Sequence, residues 1–212
     1  MKIPLHYQMT EFDCGPAAIM NAIQYLYEGN EIPPDFPKKV MGYCLDGYDD
    51  NGIAYRTGTT KAAMRFLADW FDQYSEMTGY PIHCEYLERE AVNVQPGGRI
   101  IKALQEGSVA VVRCIFDVGH YITITGMDET YLHVWDPYYM DKQIRIPGVV
   151  YDNDHEKEYN RLIKPEVLEQ SGEEIYAMDG LDKRNALIFS RTGKARTYIP
   201  DLNNFRNHPG KI

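Results

Sequence analysis

The chain has no cluster of basic residues. Across 212 residues it carries 22 Lys and Arg against 31 Asp and Glu, a formal net charge of −9. Binding phosphate needs a basic patch, so this balance argues against nucleic acid as the partner. The four cysteines, at positions 14, 44, 84 and 114, form no CxxC pair and no tight group with histidine. Their spacing disfavours a structural zinc and a disulfide framework, and it fits a reducing compartment. The N-terminus, Met1-Lys-Ile-Pro-Leu-His-Tyr7, lacks the apolar stretch of a signal peptide, and no apolar run has the length of a membrane span. No membrane partner is expected, and the expected location is the cytoplasm. There is no internal repeat and no low-complexity tract.

What is present is an ordinary globular composition, 44% hydrophobic and 25% charged. A chain of this length can bury a full core as one domain with a lobe added. The organising stretch is Gln8-Met-Thr-Glu-Phe-Asp13-Cys14-Gly15-Pro16, followed by an almost wholly apolar run from Ala17 to Tyr27. An acidic cap candidate (Asp13), a thiol, a Gly and a Pro suited to a first turn predict a helix with Cys14 at its N-terminal end. Unpaired N–H groups and the helix dipole stabilise a thiolate there, which turns a cysteine into a nucleophile near neutral pH. Most cysteines without a disulfide are simply small buried apolar residues, so the case for Cys14 rests on its companions.

Residues 1–8 read as an extended lead-in, with Pro4 keeping them out of helix. The helix after Cys14 shows one narrow polar stripe, Asn21, Gln24 and Glu28, which predicts a largely buried element ending by Gly29-Asn30. From Asp35 to Thr60 the Gly, Asp, Pro and Tyr content predicts a surface excursion bordering a cleft. Thr59-Thr60 then caps a helix from Lys61 to about Tyr74, with Ala63, Phe66, Leu67 and Trp70 or Phe71 facing inward. Beyond Gly79 the pattern turns to strands: Pro81–Leu87, then a short helix Arg99–Gln105, then the Val/Ile-rich run Val109–Phe116. Helices first and strands later predict an α+β protein with two sub-lobes.

Two further strands, Gly119–Gly126 and Thr130–Pro137, are joined by Met127-Asp128-Glu129. If those three residues are the loop, Ile124 faces Leu132, Ile122 faces Val134 and His120 faces Asp136. This register gathers the aliphatics on one face, with Thr123 opposite His133 and Thr125 opposite Tyr131 on the other, whereas a slip of one residue would mix the faces. Opposed Cβ atoms lie about 4.5–5.5 Å apart, a gap that an imidazole and a carboxylate can bridge. His120 could then take a proton from Cys14 and return it to a leaving amine, with Asp136 fixing the imidazole tautomer. Gln8 could supply an oxyanion donor alongside the backbone N–H of Cys14. Taken singly, His120 is a strand-end histidine, Asp136 begins an Asp-Pro turn and Gln8 is a surface residue. Together, in this order, they point to chemistry.

Gln8, Asp13-Cys14-Gly15-Pro16, Gly119-His120 and Asp136-Pro137 resemble the motifs of the C39 family of papain-like cysteine peptidases, known as leader-removing domains of bacteriocin exporters. The resemblance covers about residues 1–140. It implies a papain-like fold, with a helical lobe at about 1–78 packing its nucleophile helix against an antiparallel sheet lobe at about 79–140. It places the nucleophile on Cys14, the base on His120, the orienting acid on Asp136 and the oxyanion glutamine on Gln8. No exporter membrane domain follows, so a free-standing C39-like protein is expected, and cleavage after a Gly-Gly leader does not carry over.

Residues 141–212 have no counterpart in that resemblance. Glu156–Glu169 has helical character interrupted at Pro165, Asn185–Ser190 reads as one more strand added to the sheet, and the part between suits a lid or small subdomain. His83, His133, His155 and His208 have no metal-site spacing. Cys44, Cys84 and Cys114 are expected to be non-catalytic, with Cys114 blunted by burial in an apolar strand. The expected function is a thiol hydrolase cleaving a peptide or amide bond in a peptide or protein substrate, using a catalytic triad and an acyl-enzyme on Cys14. No cofactor and no metal are called for. Acyl transfer by the same triad, as in phytochelatin synthases and arylamine acetyltransferases, and a non-cleaving peptide-binding module remain alternatives. Nothing in the sequence selects an oligomeric state.

Overall fold

The structure, a computed structural model, describes residues 2–45, 47–140 and 142–194; His208 lies outside them. Its described strands are β1 (Ile82–Glu88), β2 (Val109–Phe116), β3 (Val118–Met127), β4 (Leu132–Trp135), β5 (Val149–Tyr151), β6 (Arg161–Ile163) and β7 (Asn185–Arg191). They form one antiparallel sheet in the order β1-β7-β2-β3-β4-β6-β5. The described helices are α1 (Cys14–Leu26), α2 (Asp35–Cys44), α3 (Lys61–Thr78), α4 (Arg99–Gln105) and α5 (Pro165–Leu168). The stretch after residue 140 thus contributes strands to the sheet, and β7 lies between β1 and β2 rather than at an edge.

The runs that look unbrokenly apolar in sequence, β2 and β7, are buried on both faces. Val109, Val111, Leu187 and Phe189 join a core with Ile19, Ile23, Leu67 and Phe71 of α1 and α3. Their neighbours Ala110, Val112, Ala186 and Ile188 join a second core with Ile100, Leu104, Val167 and Leu168 of α4 and α5. The chain is α+β, and the helix that begins at Cys14 packs against an antiparallel sheet, as expected.

Helix α2 lies inside the stretch expected to be an irregular surface excursion. Pro37 and Gly42 disguise it, but Pro37 sits in the first turn, where a missing N–H costs nothing. Phe36, Val40 and Cys44 recur at four-residue spacing as a buried stripe. Phe36 packs edge-on against Trp70, Phe71, Tyr74 and Tyr80 at 5.1–5.7 Å. Burial of such a ring is worth about 1.5–3 kcal/mol, more than the ~1 kcal/mol that Gly42 costs relative to Ala.

Helix α3 starts as expected, with Thr60 Oγ1 accepting from Ala63 N–H at 3.1 Å. It runs on to Thr78 because no breaker intervenes before Gly79, which takes a left-handed φ of 70°. Its inner face is Ala63, Met64, Leu67, Ala68 and Phe71. Phe66 is a correction: it is 44% exposed and leans on Tyr43 instead. The expected helix over 156–169 is also corrected. Residues 161–163 form β6, where Leu132 pairs with Ile163 and Val134 with Arg161, and only Pro165–Leu168 is helical. Backbone pairing with β4 decides that segment against its charged, helix-like composition.

The β3–β4 register differs from expectation by two residues. Ile124 pairs with Val134 and Thr123 with Trp135; then a bulge at Thr125 lets Gly126 meet His133 and Met127 meet Leu132. A slip of two leaves every side chain near His120 on its expected face. The bulge is held by Thr125 Oγ1, which donates to Glu158 O at 2.7 Å.

Candidate active site

The lead-in lies outside any helix or strand and is tied to α1 and to the end of β4. Asn21, in the polar stripe of α1, receives His6 N–H at 2.7 Å and donates to His6 O at 2.8 Å. Trp135 Nε1 donates to the same carbonyl at 3.0 Å, and Gln8 N–H donates to Pro137 O at 2.8 Å. Gln8 is thereby fixed beside the Asp136-Pro137 turn. Its Nε2 donates to Thr10 O at 2.8 Å, while its buried Oε1 meets no protein donor.

Cys14 is the first residue of α1 and is buried. Asp13 does not cap the helix through its side chain. Its carboxylate instead accepts from Met9 N–H at 3.1 Å, from Thr10 N–H at 2.8 Å and from the Thr10 hydroxyl, folding the loop that leads into Cys14. Gly15 is required by a close approach: a Cβ there would come within 2.6 Å of Thr59 Cβ. The 56–59 segment therefore sits hard against the start of α1 as one wall of a cleft of ≈ 730 Å³. Gln8, Cys14, Arg113, Gly119, His120 and Tyr138 also line this cleft.

His120 sits near the start of β3, next to a tight β2–β3 turn whose tip, Asp117, has φ 65°. It is buried, with its ring 5.7 Å from Phe116 and 6.5 Å from Tyr138. Gly119 leaves room for Arg113, whose guanidinium nitrogen Nη2 would stand 2.5 Å from a Cβ at that position. Arg113 in turn pairs with Asp179 at 3.3 Å.

Asp136 is fully buried, and its carboxylate is saturated. Oδ1 accepts from His120 Nε2 at 2.8 Å and from Tyr138 N–H at 2.8 Å; Oδ2 accepts from the Tyr176 hydroxyl at 2.6 Å. In the observed register Asp136 is not directly opposite His120. The chain leaves β4 after Trp135, and the turn closed by Tyr138 N–H carries the carboxylate to the imidazole. With Nε2 committed to Asp136, Nδ1 is the other ring nitrogen, and His120 and Cys14 line the same cleft.

The electrostatics follow from this placement. Burial pushes the His120 imidazole down, but the Asp136 charge and hydrogen bond, then Cys14, outweigh it and the net shift is upward. Burial pushes the Asp136 carboxyl up, but His120, Tyr176 and the Tyr138 N–H outweigh it and hold it below the usual value. The two groups thus favour the charged forms of each other. Cys114 and Cys84 behave oppositely: burial drives both thiols well above the ordinary range. Outside the cleft, three histidines pair with carboxylates, His83 with Asp72, His133 with Asp128 and His155 with Asp152. Among the described residues no cluster of His, Cys, Asp and Glu could hold a metal ion, and no helix is long and apolar enough to cross a membrane.

Two residues about the site gave no signal in sequence. Asn160 clamps the Asp136 backbone from both sides, accepting its N–H at 2.8 Å and donating to its carbonyl at 2.8 Å. Tyr176 holds the carboxylate itself. Both are isolated polar residues in polar stretches, 24 and 40 positions downstream of their partner.

An α+β fold with a thiol, an imidazole and a carboxylate converging at a cleft defines a cysteine peptidase-like protein. The chain belongs to the Peptidase_C39 like family, whose model matches residues 1–166. Among solved structures it is similar to a crystal structure of a double glycine motif protease from an AMS/PCAT transporter in complex with the leader peptide. That likeness has 19% identity and a TM-score of 0.39, and covers 77% of this chain and 92% of the other. A search of curated proteins finds no match.

Proposed function

We propose that the chain is a cysteine peptidase that cleaves a peptide or amide bond through an acyl-enzyme on Cys14. The observation that carries this reading is the buried pair of His120 Nε2 with Asp136 Oδ1 at 2.8 Å, with His120 and Cys14 lining the same cleft. On this reading the Cys14 proton already resides on His120 Nδ1 before the sulfur attacks the substrate carbonyl. The tetrahedral oxyanion is stabilised by the Cys14 backbone N–H, which as the first N–H of α1 has no partner within the helix, and by the Gln8 amide in the same cleft. Gln8 Nε2 has a second hydrogen beyond the one given to Thr10 O, so one donor is available without breaking the loop. His120 then gives its proton to the departing amine, and the C–N bond breaks to leave a thioester. A water, deprotonated by His120, hydrolyses the thioester and restores the thiol. Asp136 stays ionised throughout and stabilises the imidazolium.

The test is the pH dependence of iodoacetamide alkylation, with peptide mapping to identify the modified thiol and a His120→Ala variant in parallel. The reading expects Cys14 alone to react quickly below pH 7 in the native protein and to lose that reactivity in the variant. Reaction only above about pH 8, as for an ordinary thiol, would sink it. Once the thiol is shown to be activated, hydroxylamine trapping of the acyl group during peptide turnover distinguishes hydrolysis from transfer to another nucleophile.

A further inference from the structure

The carboxylate of Asp136 uses one oxygen on His120 and gives the other to a residue the family resemblance does not reach. Tyr176 lies beyond the 1–166 span of the family match. It is fully buried and takes a positive φ of 71°, a conformation unusual for an aromatic residue. Backbone bonds hold it there: Tyr176 N–H donates to Ile115 O at 2.7 Å, and Ile115 N–H donates to Ala177 O at 2.8 Å. Its ring packs on Phe116 at 5.7 Å, and its hydroxyl donates to Asp136 Oδ2 at 2.6 Å. Burial, then the neighbouring carboxylate, push the phenol well above its ordinary value, so the hydroxyl keeps its proton and remains a donor.

Near Tyr176 lies Arg161, a buried residue of β6 whose charge the phenol feels and whose Nη1 donates to Asn160 O at 2.8 Å. Hydrogen bonds run from Tyr176 through Asp136 to His120, which lines the cleft together with Cys14. The titratable and charged groups facing Asp136 are His120 on β3, Cys114 on β2, Tyr151 on β5 and Tyr176 itself. A fully buried carboxylate with a bare second oxygen would be driven toward its neutral form. Neutral Asp136 cannot hold His120 as an imidazolium, the charged partner that the cysteine-peptidase reading gives to Cys14.

We propose that Tyr176 is a positioning residue of the site, fixing Asp136 as an anion aimed at His120 and so setting the charge of the His120–Cys14 pair. The proposal rests on the cysteine-peptidase reading for its consequence at Cys14, but not for its effect on Asp136. It places a residue of the sequence after the family span in the machinery of the site.

The experiment compares the full chain with Tyr176→Phe, Asp136→Asn and the double variant. Asp136 ionisation is followed by the 13C resonance of its side-chain carboxyl, assigned by its loss in Asp136→Asn, and Cys14 reactivity by the pH profile of iodoacetamide alkylation. Tyr176→Phe keeps the ring and removes the donor. Losing one hydrogen bond to a buried charge should raise the Asp136 midpoint by roughly one to two pH units. The acid limb of Cys14 alkylation should move up with it. In the Asp136→Asn background, Tyr176→Phe should leave the alkylation profile where it is. An unchanged Asp136 midpoint, or an equal shift of the alkylation limb in both backgrounds, overturns the proposal. A purely structural tyrosine would lower thermal stability while leaving both pH midpoints in place. If the Asp136 midpoint rises while Cys14 shows only ordinary thiol reactivity, the positioning role stands and the peptidase reading falls.

Discussion

Removing His120 should cost more than a packed ring, because it strands a charge. In His120→Ala, Asp136 keeps the Tyr176 and Tyr138 donors but loses its ionic partner at a site with no exposure. Breaking a buried pair in this way costs about 3–5 kcal/mol near neutral pH, a large part of the roughly 5–15 kcal/mol that holds an ordinary domain together. The pH dependence identifies the cause. In the native protein Asp136 is held below its ordinary 3.8, so its contribution is present above that value and fades as pH falls through the native one. His120 is raised above its ordinary 6.5, so its contribution is present below that value and fades as pH rises through the native one. The pair is therefore most stabilising from about pH 4 to 6.5. In the variant, burial acts on Asp136 without the imidazolium to oppose it, and the carboxyl rises above its ordinary value. A carboxyl raised in the folded state makes the variant lose stability as pH rises from about 4. The difference between the two proteins should widen from about pH 4 and peak near pH 6.5. Urea unfolding at a series of pH values measures it. A difference that is flat across this range, or smaller than about 1 kcal/mol at its peak, would refute the charged-pair account.

Gly15→Ala should lower stability by about 1–3 kcal/mol, because the new methyl meets Thr59 Cβ and must push the cleft wall off the start of α1. A thermal melt together with a slower Cys14 alkylation rate would show this, and an unchanged melt would mean the wall yields freely. Asn160→Ala should cost about 2–4 kcal/mol, because it leaves both the N–H and the carbonyl of buried Asp136 without their partners. Denaturant unfolding checks the figure, and a loss below about 0.5 kcal/mol would show that the clamp is replaced by water.

Much of the fold was legible because its signals are local. Cys14 at a helix start, the Thr60 cap, helix α4 and strand β2 all follow from neighbours in the chain. The face shared by His120 and Asp136 also survived a register wrong by two residues, since side chains alternate with period two and an even slip keeps their sides. Helix α2 was hidden by Pro37 and Gly42, whose breaking tendency its buried stripe overrides. Strand β6 was hidden by a charged context, since pairing with β4 decides it. Phe66 shows the limit of helical periodicity, which places a stripe but not the width that the neighbouring elements cover.

The sequence by itself determined the class of the protein and the types and order of the groups in its cleft. Those follow from motifs that are contiguous or lie on one hairpin, where covalent connection fixes the geometry within a few ångströms. Only the tertiary structure decided how the carboxylate is held. Asn160 and Tyr176 reach Asp136 from 24 and 40 positions along the chain. Such contacts leave no periodic trace, because each needs only one polar side chain in the right place. The same holds for β7, whose apolar run announces a strand but not its place between β1 and β2. That place is fixed by pairing with β1 on one side and β2 on the other, partners separated from it by many tens of residues.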